Sequence, residues 1–316
     1  MSGDLSGIGS LRWYLRWASV FLGMVLTYRN GLEVIRGVLG GRFPIQAKLK
    51  HGDVLLRSTS EAIYYALDRV PHYRGRVRKV DDGFVVRCCG RDLLVLSPQR
   101  EGRPQGRALA VGDAVVLEGA WLTDIYDVFL DQDYAWLDVS GRTAVDVGAA
   151  IGDTAIYFVL RGAKRVIACE PYPNLFEVAY RNIYVNNRLN NVVLLHAGCG
   201  GSDGEVSVAA SGSGWTPLIQ AEQGVKVPIL SLRTLVSKYD VEEGSALKVD
   251  CEGCEYDLIL GSDDRTLLRF DRIQMEYHII GDKGPELISS RLRRLGYRVK
   301  VQHTYRGLGY IYAKRE

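Results

Sequence analysis

The 316-residue sequence lacks an apolar run long enough to cross a bilayer. Its most apolar stretch, WASVFLGMVLTY from Trp17 to Tyr28, is shorter than the roughly 20 residues that a spanning helix needs. The residues that end it, TYRNGL, do not form a small-residue cleavage site, so a secretory signal is not predicted. We therefore expect a cytoplasmic protein without a transmembrane span.

This stretch is instead typical of an amphipathic helix. Arg12, Arg16, Ser19, Gly23 and Thr27 recur at steps of three and four residues and form one narrow polar stripe. The simpler interpretation is a helix packed on the body of the protein. The alternative is an interfacial helix that makes a peripheral contact with the membrane.

Cysteine is too scarce for a disulfide framework, with six residues in a chain of this length. We therefore expect a reducing compartment. Cys251 and Cys254 form a CxxC, but the only other pair, Cys88 and Cys89, is adjacent and poorly suited to complete a zinc site. The predicted role of the CxxC is two small residues beside a buried strand, with a redox or metal role left open.

A strong excess of charge is also lacking. Forty Lys and Arg against 37 Asp and Glu give a net charge of +3, which is not a strong nucleic-acid signal. The run YRGRVRK would place Arg74, Arg76 and Arg78 on one face of a strand. That face is either solvated or contacts an acidic substrate.

The chain is predicted to have two parts. Residues 1–121 combine a leading helix with strand-like hairpin patterns, which indicates a mostly β accessory region. Residues 122–316 alternate strand and helix patterns and end in two strands. They predict a mostly parallel, Rossmann-like α/β sheet with helices on both faces and one antiparallel strand near the end.

One stretch, AVDVGAAIGDTAIYF, predicts a strand, a glycine turn and a helix that bind a nucleotide. Dinucleotide-binding folds use G-x-G-x-x-G, whereas Gly148 and Gly152 give G-x-x-x-G. Asp146 at the end of the strand would repel a pyrophosphate and suits a cation. S-adenosylmethionine carries an ammonium and a sulfonium and no phosphate, so charge favours it over NAD. Ala149 and Asp153 belong to the same predicted cofactor turn.

Residues at the ends of the next two strands complete the predicted cofactor pocket. Glu170 ends the second strand, where an acid accepts hydrogen bonds from ribose hydroxyls. His196 and Ala197, at the end of the third strand, are predicted to lie beside the adenine. The alternative is that Asp146 and Glu170 only cap the following turns.

Four motifs in this part resemble the FkbM family of S-adenosylmethionine-dependent methyltransferases. They are VDVGAAIGDTAIYF, VIACEPYPNLFEVAYRNIYVNN, LKVDCEGCEYDLI and MEYH, in this order. The resemblance covers about Asp127 to His278, and the region before it is similar to the leading segment of archaeal members. Ala150 stands where the family has asparagine, and Cys251 and Cys254 where it has alanine or aliphatic residues. The resemblance implies a class I methyltransferase fold and usually an oxygen acceptor on a small molecule or glycan.

The fourth and fifth strands carry the candidate catalytic residues. Asp250 and Glu252 follow the fourth strand, and Glu276 and His278 lie on the fifth. An N-P-P-Y-like motif for amine acceptors is absent, whereas a carboxylate can take the proton of an attacking hydroxyl. A second version has Asp250 and Glu276 hold a magnesium ion. We favour the metal-free version because no dense acid cluster is visible. The alternative for His278 is a structural role, and the alternative for Asp250 and Glu252 is structural pairing with Lys248.

The leading hypothesis is therefore O-methylation of a small-molecule or glycan hydroxyl. The alternatives are an RNA methyltransferase, an NAD-linked oxidoreductase, and a module that binds the cofactor without catalysis. No oligomeric state is predicted.

Overall fold

The computed structural model describes residues 6–42, 44–49, 52–56, 62–63, 66, 73, 75–80, 83–96, 115–117, 125–185, 189–212, 224–304 and 307–316. The chain forms two compact units. The N-terminal unit is Ser10–Gln132, and the C-terminal unit is Asp133–Glu316 with residues up to Gly9. The predicted boundary between Trp121 and Leu122 lies outside the described residues.

The N-terminal unit has leading helices followed by short strands, as predicted. The helices are α1 (Ser6–Thr27) and α2 (Gly31–Leu39), and a π-helix spans Ile125–Leu130. The strands are β1 (Ile45–Leu49), β2 (Gly52–Leu56), β3 (Val77–Val80), β4 (Gly83–Cys88), β5 (Arg91–Leu96) and β6 (Val115–Leu117). An antiparallel hairpin joins β1 to β2, and β3 to β6 form a four-stranded sheet. In the part of the chain that the structure describes, no helix has the length and apolar character needed to cross a membrane.

The predicted arginine face of the first unit differs from the structure. Strand β3 begins at Val77, so Arg76 precedes it and donates a hydrogen bond of 3.1 Å to the carbonyl of Phe129. Arg78 lies on the strand and is exposed, and Arg74 lies outside the described residues. The guanidinium of Arg76 therefore stabilises the unit instead of extending a basic strand face.

The C-terminal unit alternates strands and helices. The elements of its first half are β7 (Thr143–Val147), α3 (Asp153–Leu160), β8 (Arg165–Cys169), α4 (Pro173–Val185), β9 (Val192–Leu195), β10 (Gly198–Gly200), β11 (Gly204–Val208) and β12 (Val225–Ser231). Those of its second half are α5 (Leu232–Lys238), β13 (Ser245–Val249), α6 (Glu255–Gly261), α7 (Asp264–Leu267), β14 (Phe270–His278), α8 (Pro285–Arg294), β15 (Arg298–His303) and β16 (Leu308–Lys314).

Seven of these strands form one sheet in the order β15-β16-β14-β13-β7-β8-β9. Neighbours from β14 to β9 are parallel, and β16 is antiparallel to both β14 and β15. The mostly parallel sheet with its antiparallel strand is confirmed. A smaller sheet, β10-β12-β11, was not predicted. Strand β10 reads GCG, which has no side-chain alternation to indicate a strand.

The two faces of the large sheet differ in polarity because side chains alternate along each strand. On one face, buried apolar side chains pack against α5, α6 and α8. The residues that the strands contribute include Val145, Val147, Ile167, Cys169, Leu247, Val249, Ile273, Met275, Ile311 and Ala313. On the other face, Asp146 is paired in register with Lys248, and Lys248 with Gln274. All three are buried. The polar face therefore carries charge inside the fold, at the carboxyl ends of the parallel strands.

Candidate active site

Asp146 lies near the end of β7, and its side chain is fully buried. Its Oδ2 accepts a hydrogen bond of 2.6 Å from Oγ1 of Thr154 on α3. Its Oδ1 lies 3.1 Å from Nζ of Lys248. Burial raises the pKa of Asp146, and the Lys248 ammonium opposes that rise. The carboxylate that we assigned to the cationic end of the cofactor thus already has a cation of the protein beside it.

The side chain of Lys248 contacts the glycine turn, the loop after β13 and the ring of Tyr134. It lies on β13, donates a hydrogen bond to the carbonyl of Gly148, and its Nζ is 3.8 Å from Oδ2 of Asp250. The ammonium also sits 5.5 Å from the centre of the Tyr134 ring. Burial alone lowers the pKa of Lys248, but Asp146 and Asp250 outweigh it and raise the pKa above the usual value. The ammonium therefore stays charged and fixes the position of Asp250 relative to the glycine turn.

The glycine turn requires glycine at position 148 for two reasons. Its φ is 80°, a left-handed conformation that disfavours other residues. A Cβ atom added there would lie 1.8 Å from the carbonyl oxygen of Asp250. The backbone of one of the two loops would have to move to relieve this clash. Gly152 also has a left-handed φ, 83°, and caps α3. Gly148 therefore sets how closely the turn approaches the loop that carries Asp250.

Two further acids of this edge have pKa values near neutrality. Glu170 follows β8, and its two oxygens accept hydrogen bonds from the backbone amides of Ala150 (2.9 Å) and Tyr172 (2.8 Å). Burial raises the pKa of Glu170 to about 7. Burial also raises the pKa of Asp153, the first residue of α3, to about 7. Both carboxyl groups therefore gain charge readily when a cation approaches.

The predicted adenine residues lie beside Glu170. Nε2 of His196 is 3.1 Å from the carbonyl oxygen of Pro171, the residue after Glu170. The His196 ring stacks on Phe176 of α4, with 4.7 Å between ring centres and 27° between planes. Ala197 is buried. The structure thus adds an aromatic pair next to the predicted ribose-binding acid.

Asp250 follows β13 and is held by Tyr134. The Tyr134 hydroxyl donates a hydrogen bond of 2.8 Å to Oδ2 of Asp250. Burial, together with the charges of Asp250 and Glu276 and the nearby Tyr310, raises the pKa of Tyr134 well above its usual value. The phenol therefore stays protonated and remains a donor. Since Glu276 acts on the same phenol, the structure brings two of the four predicted catalytic acids and bases to one place.

Glu252 and His278 form a second group with a residue that we did not predict, Glu255. Nε2 of His278 lies 3.2 Å from Oε2 of Glu252, and Nδ1 lies 3.0 Å from Oε1 of the fully buried Glu255. Burial lowers the pKa of His278, but the bonds to the two carboxylates outweigh it and raise the pKa to about 10. His278 is therefore an imidazolium at neutral pH, with both nitrogens donating. This state does not suit the role of a general base.

The loop between β13 and α6 is closed by a disulfide. Cys251 and Cys254 are bonded, with 5.5 Å between their Cα atoms, a usual separation for a disulfide. The pair therefore differs from the two unlinked small residues that the sequence predicts. The reason is the turn between them, where Glu252 (φ 52°) and Gly253 (φ 124°) both leave the right-handed region.

No group of three or more His, Cys, Asp or Glu side chains within the described ranges lies where it could hold a metal ion. The described residues would therefore give a magnesium ion at Asp250 and Glu276 at most these two carboxylate ligands. That is few protein ligands for a hard divalent ion, which then relies on water or substrate.

Tyr134 and Glu255 are site residues that the sequence does not single out, and it indicates Lys248 only as a structural partner of Asp250 and Glu252. Lys248 carried the clearest signal, since one cation inside the apolar strand SALKV needs a buried partner. Tyr134 precedes the sheet in a segment without a periodic pattern. Glu255 is the first residue of α6, where an acid is usually taken as favourable for the helix dipole.

The arrangement fits a cationic cofactor. Asp146, Asp153, Glu170 and Asp250 lie on one edge of the sheet, and the Lys248 ammonium acts on all four of them. An excess of carboxylates attracts an ammonium or sulfonium and repels a pyrophosphate. The sheet order, its antiparallel strand and this glycine turn define a class I S-adenosylmethionine-dependent methyltransferase domain.

The family of this domain is shown by a direct match. Residues 146–299 match the family model described as the Methyltransferase FkbM domain. This part of the chain is an FkbM methyltransferase domain, which confirms the resemblance seen in its motifs. No curated protein matches the chain.

Several solved structures are similar to the chain at low identity. Methyltransferase FkbM from Methylobacillus flagellatus has 16% identity and a TM-score of 0.41, and the match covers 60% of this chain and 47% of that one. The S-adenosylmethionine-dependent O-methyltransferase of Thermotoga maritima has 13% identity, coverages of 58% and 64%, and a TM-score of 0.37. M. jannaschii TYW2 in complex with AdoMet has 15% identity, coverages of 76% and 89%, and a TM-score of 0.36. The chain thus spans about half the length of the Methylobacillus protein, and none of these likenesses identifies an acceptor.

Proposed function

We propose that the domain transfers the methyl group of S-adenosylmethionine to an oxygen atom, the hydroxyl of a small molecule or glycan. The observation that supports this most is the exposure of Asp250. Its side chain is 26% exposed, whereas Asp146, Asp153 and Glu170 are each exposed by 5% or less. Asp250 is thus a carboxylate of the cofactor edge that an acceptor can reach.

The roles of the chain's own residues follow from their contacts. S-adenosylmethionine supplies an electrophilic methyl group, and the attacking hydroxyl must lose its proton. Within the described residues, Tyr134 and Lys248 both approach Oδ2 of Asp250, which leaves Oδ1 to accept that proton. Tyr134 and Lys248 orient the carboxylate, so they are positioning residues. Glu276 is the second candidate base because its charge also acts on the Tyr134 phenol.

The proposed cofactor set keeps the predicted residues with one change of role. Gly148, Ala149 and Gly152 form the turn, and Glu170 receives the ribose hydroxyls. Asp146 is hydrogen-bonded to Thr154 and paired with Lys248. It therefore acts on the cofactor through the electric field of the Asp146–Lys248 ion pair. Asp153, His196 and Ala197 complete the pocket in this proposal.

The cofactor is tested first by thermal shift. S-adenosylhomocysteine at about 100 times its dissociation constant should add about 2.7 kcal/mol to the free energy of unfolding, and NAD should add nothing. Stabilisation by NAD alone would establish the oxidoreductase alternative.

The reaction is tested with S-adenosylmethionine that carries a labelled methyl group, offered with sugars, phenols and RNA. Transfer to RNA alone would establish the RNA methyltransferase alternative. With a hydroxyl acceptor, Asp250→Asn should lower turnover by roughly 10²–10⁴-fold and leave S-adenosylhomocysteine binding nearly unchanged. Asp240→Asn, a substitution of an exposed aspartate elsewhere, should have no effect.

Two further results discriminate the versions of this chemistry. Full turnover of Asp250→Asn would remove Asp250 from the reaction and assign the base to Glu276. Loss of turnover on adding EDTA, restored by magnesium, would support the metal version. Activity that persists in EDTA supports proton transfer to the carboxylate alone.

A further inference from the structure

The outward face of the first two helices is apolar. Five large apolar side chains on α1 and α2 are exposed to solvent: Leu22 (56%), Val25 (46%), Leu26 (61%), Leu32 (68%) and Leu39 (70%). On α1 they recur at steps of three and four residues, so they share one face. We call these five residues the apolar helix face. Several large apolar side chains exposed on two consecutive helices are typical of a surface that contacts another molecule or a membrane.

The opposite face of α1 is fixed to the N-terminal unit. Val20, Met24 and Tyr28 are buried, and the Tyr28 hydroxyl donates a hydrogen bond of 2.8 Å to the carbonyl of Ala62. Gly31 at the start of α2 packs so closely that an added Cβ would lie 2.7 Å from Cα of Val25. The helices therefore cannot roll to bury the leucines without breaking these contacts.

The charges around the apolar helix face are mostly positive. The sequence has no Asp or Glu between Asp4 and Glu33. Arg29 and Arg42 are exposed just before and just after α2, and the exposed Arg36 lies on α2 four residues after Leu32 and three before Leu39. Glu33 is the one acid of α2, and its Oε2 already accepts a hydrogen bond of 3.0 Å from Asn30. An apolar helix face with a basic border matches a surface whose interior is apolar and whose border is anionic.

We propose that the apolar helix face binds the surface of an anionic phospholipid bilayer. The leucines enter the boundary between headgroups and acyl chains, and the arginines contact lipid phosphates. A second copy of the chain fits less well, because a twofold contact would bring three arginines from each copy to the interface against a single acid, Glu33. The proposal is independent of the methyl-transfer chemistry.

The test is co-sedimentation of the full chain with vesicles of phosphatidylcholine, with and without phosphatidylglycerol. Wild type should bind the anionic vesicles, and binding should weaken at high salt because the Debye length falls. Leu22→Asp/Leu26→Asp should weaken binding at least about tenfold, which is about 1.4 kcal/mol. Leu287→Asp, a matched change of a 46% exposed leucine on α8, should leave binding intact.

The charge component is tested by Arg29→Gln/Arg36→Gln, which should weaken binding to anionic vesicles and leave neutral vesicles unaffected. Unchanged melting temperatures verify that the variants are folded. The proposal is overturned if wild type does not bind anionic vesicles, or if Leu22→Asp/Leu26→Asp binds them as well as wild type. It is also overturned if sedimentation velocity finds a dimer that this double variant dissociates while lipid binding is absent.

Discussion

The two faces of the seven-stranded sheet are built from neighbouring residues of the same strands, yet they serve different purposes. Val147 and Val249 point into the apolar core, while Asp146 and Lys248, one position earlier, point to the other side. Each fully buried aliphatic side chain contributes about 1.5–3 kcal/mol to folding. A buried ion pair rarely contributes that much, because removing two charges from water costs several kcal/mol per ion.

The polar face therefore exists for a reason other than stability. Its charges converge on the ends of β7 and β13, where Lys248 contacts the turn through Gly148 and approaches Asp250. One face holds the sheet together, and the other fixes the geometry of the site at some cost in stability. This comparison can be tested by breaking each face in turn.

The largest expected effect follows from breaking the polar face at Lys248. Lys248→Met leaves the carboxylate of Asp146 buried without its cation, so the free energy of unfolding should fall by about 3–5 kcal/mol. Denaturant titration measures it. The double variant Asp146→Asn/Lys248→Met should recover most of the loss, since no unpaired charge remains.

Leu247→Ala is the matched break of the apolar face, one residue away. It should cost about 2–5 kcal/mol by cavity formation. Adding Asp146→Asn should not restore that loss, because the apolar cavity is unaffected. If Asp146→Asn failed to rescue Lys248→Met, the ion pair would not be the reason for the buried lysine.

The second expected effect concerns the end of β14, where Glu252 and Glu255 hold His278. The folded pKa of His278, about 10, is above the value of an unperturbed histidine. Its stabilising contribution is therefore present below about pH 6.5 and is lost as the pH rises through 10. At about 1.36 kcal/mol per pKa unit, the shift corresponds to at most about 5 kcal/mol. Water partly screens these ion pairs, so we expect the free energy of unfolding to fall by about 3 kcal/mol over this window.

His278→Gln should remove this pH dependence, measured by denaturant titration at several pH values. His303→Gln is the matched control, because among the described residues His303 is bonded to the Tyr277 hydroxyl and to no carboxylate. A wild-type pH profile that His278→Gln leaves unchanged would show that the carboxylates do not hold the imidazolium.

Much of this fold could be predicted because the physical signals are local. Alternating apolar strands and amphipathic helices predicted the parallel sheet, and the final hairpin predicted its antiparallel strand. The glycine spacing and the acids at strand ends directed attention to one edge of the sheet. Sequence placed those acids but not their partners. The bonds of Asp146 to Lys248 and of His278 to Glu255 join residues 102 and 23 positions apart, and no local pattern records such a pair.

The unpredicted partners changed the chemistry more than the fold. Asp250 and His278 were both candidate bases while only their positions along the strands were known. Tyr134 binds Oδ2 of Asp250, and the contacts of Tyr134 and Lys248 leave Oδ1 available as a proton acceptor. Glu252 and Glu255 instead hold both ring nitrogens of His278, which makes His278 a hydrogen-bond donor. The sequence could not distinguish them because proton affinity depends on neighbours that folding brings together.

The smallest expected effect sharpens the comparison at the cofactor edge. Asp153 and Glu170 have pKa values of about 7, so both are partly protonated at neutral pH without ligand. A cationic cofactor favours the ionised form, so its affinity should rise as the pH increases through 7. Between pH 6 and 8 the affinity for S-adenosylmethionine should increase by about two- to tenfold, or about 0.4–1.4 kcal/mol. S-adenosylhomocysteine lacks the sulfonium charge and should show a smaller increase. Isothermal titration calorimetry in buffers of different ionisation enthalpy measures the affinities and the protons released, and Asp153→Asn should release fewer. An affinity that is constant from pH 6 to 8 would mean that these carboxyl groups do not sense the charge of the cofactor.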